Sequence, residues 1–210
     1  MIKLYVVPFS FLTHNEANSL FHLRKRVFKD RLDWAVDCSD EKEIDAYDTH
    51  DASYILGKYC GEVICSVRFI EIDKPNMLKC GVFKSFFNNM KISSGHYLEA
   101  SRLFVNKERI NKLKLAHHPV CALIFVAMIN FTRRNNYEGI YSIVSEAILI
   151  ICRRIGWNVE VLESGYSEKR EAVHYVFMPV DEPNTHLILR KIIPDHLTIH
   201  EDFINYSLNI

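Results

Sequence analysis

Glycine and proline are scarce, seven and six in 210 residues, and no linker, repeat or low-complexity tract divides the chain. Collagen-like and disordered classes are excluded, and one domain over residues 1–210 is expected. An excess of either charge is also lacking: 26 Lys and Arg balance 26 Asp and Glu, so no broad footprint for nucleic acid is expected. The longest apolar run, VCALIFVAMI from Val120 to Ile129, falls well short of the roughly 18 residues of a membrane span and reads as a buried helix. The opening MIKLYVVPFSFLTHNE has one lysine before its apolar run and no small-residue cleavage site, against a secretory signal. Six cysteines occur without a C-x-x-C pair or a Cys/His spacing for zinc, and read as reduced thiols. A cytoplasmic protein with no membrane partner, no metal and no cofactor is expected; His117 and His118, before Pro119, read as loop residues. Walker, G-x-G-x-x-G, G-x-S-x-G and H-E-x-x-H motifs are missing, which removes the main support for NTPase, dinucleotide, hydrolase and zincin chemistry.

What is present alternates strand and helix patterns. IKLYVV reads as a first strand, and Thr13 with Glu16 has capping-box spacing ahead of ANSLFHLRKRVFKD, where Leu20, Leu23 and Val27 share one helix face and Arg24 and Phe28 a neighbouring one. SYILGKY and EVICSVRFIEI, parted by Cys60 and Gly61, predict a hairpin. HYLEASRLFV reads as a strand, and Pro119 with Arg133 and Arg134 frames a helix. GIYSIV, EAILIICRRIG, WNVEVLE and AVHYVFMPV then read as strand, helix ending at Gly156, strand and strand. The expected fold is α/β, a three-layer α-β-α sandwich with a mixed sheet.

Carboxylates concentrate in EIDAYDTHD. If DAYD runs extended, Asp45 lies on the same side as Glu43, and a turn at Asp48–Thr49 curls a third acid toward them. Converging acids need cations; the bland alternative is a set of solvated loop acids paired with Arg24, Lys25 and Arg26.

The series FHLRKRVFKDRLDW, EIDAYD, YILG with VICSVRF, DKPNML and LEASRLFV, continued by GIYSIVSEAILIICRRIGW, resembles the LuxI-type acyl-homoserine lactone synthases. The resemblance implies a fold like the GNAT N-acyltransferases and a quorum-sensing signal made from S-adenosylmethionine and an acyl group on acyl carrier protein. It implies that Arg24, Phe28, Trp34, Asp45, Asp48 and Arg68 bind S-adenosylmethionine, with Asp45 and Asp48 holding its cationic end or fixing Arg24 and Arg102. Glu99, Ser101 and Arg102 take the catalytic roles, Glu99 as the base for the methionyl amine. The strand reads Glu99-Ala100-Ser101-Arg102 where the family often has E-S-S-R, so one hydroxyl is lost. Strict alternation sets Glu99 and Arg102 on opposite faces, so a bulge near Ala100 and Ser101 is expected.

For the acyl chain, apolar residues of the second half are the candidates: Phe125, Met128, Val144, Ile148 and Tyr175, with Leu123 and Ile143. Ser142 stands where relatives that prefer 3-oxo chains carry a small hydroxylated residue, which implies a 3-oxo-hexanoyl or 3-oxo-octanoyl substrate. Arg153 and Arg154 are candidates for docking the acidic carrier, or simply complement a helix dipole. Two rival readings are a GNAT-like transferase using acyl-coenzyme A and another amine, and an inactive module that binds a cationic metabolite. LFVNKERINKLKLAHHP lacks the glycines of a pyrophosphate loop, which reads against the first.

Overall fold

A computed structural model describes residues 2–115 and 119–192. In chain order its strands are β1 (Ile2–Pro8), β2 (Cys38–Ser39), β3 (Lys42–Glu43), β4 (Ser53–Tyr59), β5 (Glu62–Glu71), β6 (Tyr97–Val105), β7 (Gly139–Ser145), β8 (Glu160–Tyr166) and β9 (Ala172–Met178). The helices are α1 (His14–Arg24), α2 (Lys107–Lys112), α3 (Val120–Arg134), α4 (Glu146–Ile155) and α5 (Glu182–Leu189). Seven strands form one sheet in the order β1-β4-β5-β6-β7-β9-β8, and β2 and β3 form a separate two-stranded hairpin.

Local chemistry explains the elements read from sequence. Thr13 accepts from the Glu16 N–H while the Glu16 carboxylate accepts from the Thr13 N–H, closing the capping box of α1. Cys60 and Gly61 both take positive φ, as a two-residue turn between right-twisted strands requires, and β4 pairs antiparallel with β5 across them. Ser145 caps α4, which ends where Gly156 turns left-handed.

The sheet is mixed because β6 and β7 run parallel, and they pair over only three positions, Tyr97↔Gly139 to Glu99↔Tyr141. Beyond these β6 follows β5 while β7 follows β9, and the two strands part. One face of the sheet, with Leu98, Ala100, Ile140, Val144 and Val176, packs under α3, α4 and α5. The other face is covered in two parts: α1 lies over Tyr54, Leu56 and Ile70, while Phe87 lies over Tyr141 and Tyr175. The expected three-layer sandwich is the observed one.

Several local readings differ. Lys25–Arg31 continues α1 as a π-helix rather than an α-helix. β2, β3, α2 and α5 have no counterpart in the sequence reading. β8 starts at Glu160, three residues after Trp157, because the indole is fully buried and donates to the Pro179 carbonyl at 2.8 Å instead of entering the ladder. The expectation for His117 and His118 lies outside the described residues. No helix among the described residues is long and apolar enough to cross a membrane.

Candidate active site

Three arginines and three carboxylates interlock between α1 and the sheet. Arg24 reaches Glu43 at 2.5 Å and Asp48 at 2.7 Å. Arg68 reaches Asp45 at 2.5 Å and Asp48 at 2.8 Å. Arg102 reaches Glu43 at 2.9 Å and Asp45 at 2.8 Å. Every cation therefore bridges at least two acids, Arg24 standing 3.6 Å from Asp45 as well, and the charges balance within the cluster, which is how ions tolerate burial. Burial would raise the Asp48 pKa, but Arg24 and Arg68 overcome that and hold it at about 2. Burial likewise works against the charge on Arg24, and Asp48 and Glu43 outweigh it, keeping the guanidinium protonated.

EIDAYD is turned rather than extended, which corrects the expected geometry. The Asp48 N–H donates to the Asp45 carbonyl at 3.1 Å, the Tyr47 N–H to the Asp45 carboxylate at 2.9 Å, and the Asp45 N–H to the Asp48 carboxylate at 2.8 Å. These aspartate-backbone bonds tighten a turn from Asp45 to Asp48, and a second turn follows at Thr49, whose carbonyl accepts from the Ala52 N–H at 2.9 Å. Asp48 also accepts from Tyr54 at 2.6 Å, and its side chain is fully buried. It is therefore occupied in fixing Arg24 and Arg68 and is not available to hold a substrate cation directly.

The expected bulge exists but sits further along β6. Pairing is regular through Arg68↔Ser101 and resumes at Ser66↔Phe104, so Val67 faces both Arg102 and Leu103. Arg102 takes φ 55, a left-handed conformation rare for a bulky residue and typical of a bulge. This turn, rather than one at Ala100 and Ser101, brings Arg102 to the cavity that Glu99 and Ser101 also line. Glu99 is 1% exposed; its Oε2 accepts from the Leu78 N–H at 2.9 Å, and its Oε1 has no hydrogen-bond partner among the described residues. Burial raises its pKa above the usual carboxylate range, against the pull of the Leu78 N–H and Arg68. Ser101 accepts from Arg68 at 3.1 Å.

The cavity, about 260 Å³, opens where β6 and β7 part. On the α1 side Phe28 and Trp34 wall it, stacked on each other at 5.1 Å. Met128, Ser142, Val144 and Ile148 line it toward α3 and α4, and Ile143 lines it from the other face of the sheet, beside Phe83 and Phe86. Ser142 donates to the Ala100 carbonyl at 2.7 Å, bridging the strands where the ladder has ended. Phe125 and Tyr175 are not part of this wall. Phe125 packs edge-on to Trp157 at 5.1 Å within the core, and Tyr175 lies beneath Phe87 with its hydroxyl donating to the Lys91 carbonyl. Leu123 is outside the wall as well. Arg24, Asp45, Asp48 and Arg68 lie behind the wall and support it through Arg102 and Ser101.

Glu43, fully buried, ties Arg24 to Arg102; the sequence reading placed it beside Asp45 among converging acids but gave it no site role. Four further residues escaped that reading. Met77 and Leu78 place a sulfur 3.4 Å from Arg102 and an N–H on Glu99. Phe83 and Phe86 supply aromatic wall from a segment with almost no regular structure.

The chain matches the model of the autoinducer synthase family over residues 8–188. It is 46% identical to an acyl-homoserine-lactone synthase of Serratia liquefaciens over 91% of this chain and 96% of the relative. Among solved structures, the CoA-dependent acyl-homoserine lactone synthase MesI covers 92% of this chain and 100% of its own, with a TM-score of 0.76 at 17% identity. BjaI, a CoA-dependent synthase solved with SAM and isopentyl-CoA, covers 97% of both chains with a TM-score of 0.75 at 16% identity. The expectation of acyl carrier protein as partner is thereby corrected: MesI and BjaI, which share this fold, are CoA-dependent synthases. Arg153 and Arg154 lose their docking role with it; they are exposed in the last turn of α4, where they complement the helix dipole. The chain belongs to the LuxI-type acyl-homoserine-lactone synthases, acyltransferases that make quorum-sensing signals.

Proposed function

We propose that the cavity joins the amine of S-adenosylmethionine to the acyl group of a thioester and then closes the lactone with release of methylthioadenosine. The observation that carries this reading is Glu99, a buried carboxylate that lines the same cavity as Arg102 and has one oxygen without a hydrogen-bond partner among the described residues. An amine attacks a thioester only after losing its proton, and a carboxylate with raised pKa, acting directly or through a water, is suited to take it. Arg102, held by Glu43 and Asp45, offers its charge to the substrate carboxylate, while Ser101 and Arg68 support that strand. The edge of β6 facing β7 has no ladder partner after Glu99, and its backbone N–H groups are the candidates for receiving the tetrahedral oxyanion. Lactone closure follows by attack of the substrate's own carboxylate, a step that needs positioning because a sulfonium leaves readily.

Phe28 and Trp34 would enclose the methionyl and nucleoside parts, and Met128, Val144 and Ile148 the acyl chain, so the two substrates meet at Glu99 from opposite faces of the sheet. A 3-oxo-hexanoyl or 3-oxo-octanoyl chain is the proposed donor group, with the Ser142 hydroxyl turning from the Ala100 carbonyl to the 3-oxo oxygen. The test is chromatographic release of methylthioadenosine by the purified protein, given S-adenosylmethionine with hexanoyl, octanoyl and 3-oxo thioesters of coenzyme A and of pantetheine. Release that depends on the acyl chain and vanishes in Glu99→Gln is expected; release unaffected by that substitution would remove Glu99 from the chemistry.

A further inference from the structure

Residues 81–92 cross the far half of the sheet as a strap with only a single 3-10 turn, Lys84–Phe86, of its own. Such a segment holds its place through external attachments, and three are present. The Glu163 carboxylate on β8 accepts from two consecutive backbone N–H groups, Asn88 at 2.7 Å and Asn89 at 3.0 Å to the same oxygen, with a further 3.2 Å bond from Asn89 to the other. Two residues on, Gly165 lets the Phe86 carbonyl lie directly on β8; a Cβ there would collide with that backbone oxygen. Below, Phe87 is buried edge-on to Tyr175 at 6.4 Å, and the Tyr175 hydroxyl donates to the Lys91 carbonyl at 3.1 Å. Pairing of Glu163 with Tyr175 and of Gly165 with Val173 puts all these attachments on the sheet face that carries Glu99 and Tyr141. The pinned strap delivers Phe83 and Phe86, with ring centroids 5.7 Å apart, to the wall of the cavity that Phe28 and Trp34 also line.

We propose that Glu163, which touches no substrate, is a positioning residue that sets the aromatic wall against which the purine of S-adenosylmethionine binds. This rests on the reading of the cavity as the site of that substrate. A purine gains affinity by lying flat on aromatic side chains, and that gain requires rings held in place. The acyl side of the cavity, toward Met128 and Ile148, lies across the sheet from the strap and is insensitive to it.

The experiment compares wild type, Glu163→Ala and Glu163→Gln. Alanine removes both acceptors, whereas the glutamine carbonyl oxygen can still accept both N–H groups and is expected to rescue. Glu163→Ala is expected to raise KM for S-adenosylmethionine about tenfold, the lower end of what base–aromatic stacking contributes, with kcat within about twofold and KM for the acyl thioester unchanged. Methylthioadenosine titrated against tryptophan fluorescence should show the same loss in the alanine variant and near wild-type binding in the glutamine variant, without any turnover. Unchanged binding and KM in Glu163→Ala overturn the proposal, as does an equal rise in KM for both substrates. A wild-type protein that neither binds methylthioadenosine nor releases it refutes instead the substrate reading on which the proposal rests.

Discussion

Replacing Asp48 by asparagine keeps the side-chain shape and takes one negative charge from between two buried arginines. One Asp48 oxygen accepts from Arg24 at 2.7 Å, Arg68 at 2.8 Å and Tyr54 at 2.6 Å, bonds an amide carbonyl can reproduce without their charge, while the amide NH2 replaces the oxygen that accepts from the Asp45 N–H. Removing one partner of a buried ion pair costs roughly 3–5 kcal/mol, and because Glu43 and Asp45 remain to share the arginines, a loss of about 3 kcal/mol is expected at pH 7. The pH dependence separates charge from packing. Asp48 titrates near 2 in the folded chain against an ordinary 3.8, so its ionisation stabilises fully above the ordinary value and the contribution fades as pH falls toward 2. That contribution amounts to about 2 kcal/mol at neutral pH, and about half of it is gone at pH 3. Urea denaturation of wild type and Asp48→Asn at pH 7 and pH 3 should therefore show the stability gap narrowing by about 1 kcal/mol in acid. A gap that stays constant would refute the idea that the ionised carboxylate, held by Arg24 and Arg68, is what stabilises the cluster.

Glu99→Gln should abolish turnover and yet melt at or above the wild-type temperature at pH 7, measured by calorimetry. A carboxyl whose folded pKa is raised opposes folding once the pH passes its ordinary value, and the amide relieves that cost. For the same reason the acid limb of the wild-type kcat/KM profile should lie above the ordinary carboxylate value of 4.5; a limb at or below it would remove the link between burial and base strength. Ser142→Ala should lower the ratio of kcat/KM for 3-oxo over unsubstituted chains, and cost about 1 kcal/mol through the lost bond to the Ala100 carbonyl. An unchanged ratio would leave Ser142 as a brace between strands. Gly165→Ala should lift the strap from β8 and reproduce the Glu163→Ala effect on S-adenosylmethionine, read as a KM change in the same assay.

Elements with strong local signals were legible in the chain: the capping box at Thr13, the positive-φ pair Cys60-Gly61, and the Gly156 end of α4. Elements stabilised mainly by distant neighbours were not. β2 and β3 are two residues each, and α2 and α5 are single or double turns whose caps, Asn106 and Asp181, look like ordinary loop residues until the sheet beneath them is known. The family resemblance picked out Arg24, Arg68, Glu99 and Arg102, which the fold does draw together. It could not show that Glu43 joins two of them across 19 and 59 residues of sequence. Phe125 and Tyr175 misled because hydrophobicity alone does not say which apolar side chains border a void and which fill one. The bulge was anticipated from the three-residue spacing of Glu99 and Arg102, but its place depends on β5, where Val67 opposes two residues at once.

The parting of β6 and β7 after three residue pairs has a consequence for how such a synthase can diversify. A slot made where backbone pairing stops is lined from both faces of the sheet, by Phe28 and Trp34 on one and by Met128 and Ile148 on the other. On the proposed reading, substitutions under α3 and α4, at positions such as Met128, Val144 and Ile148, would lengthen or shorten the accepted chain without touching the ion cluster beneath α1. Signal identity and signal chemistry would then be written in separable parts of the same sheet, and a lineage could change its message while keeping the means of making it.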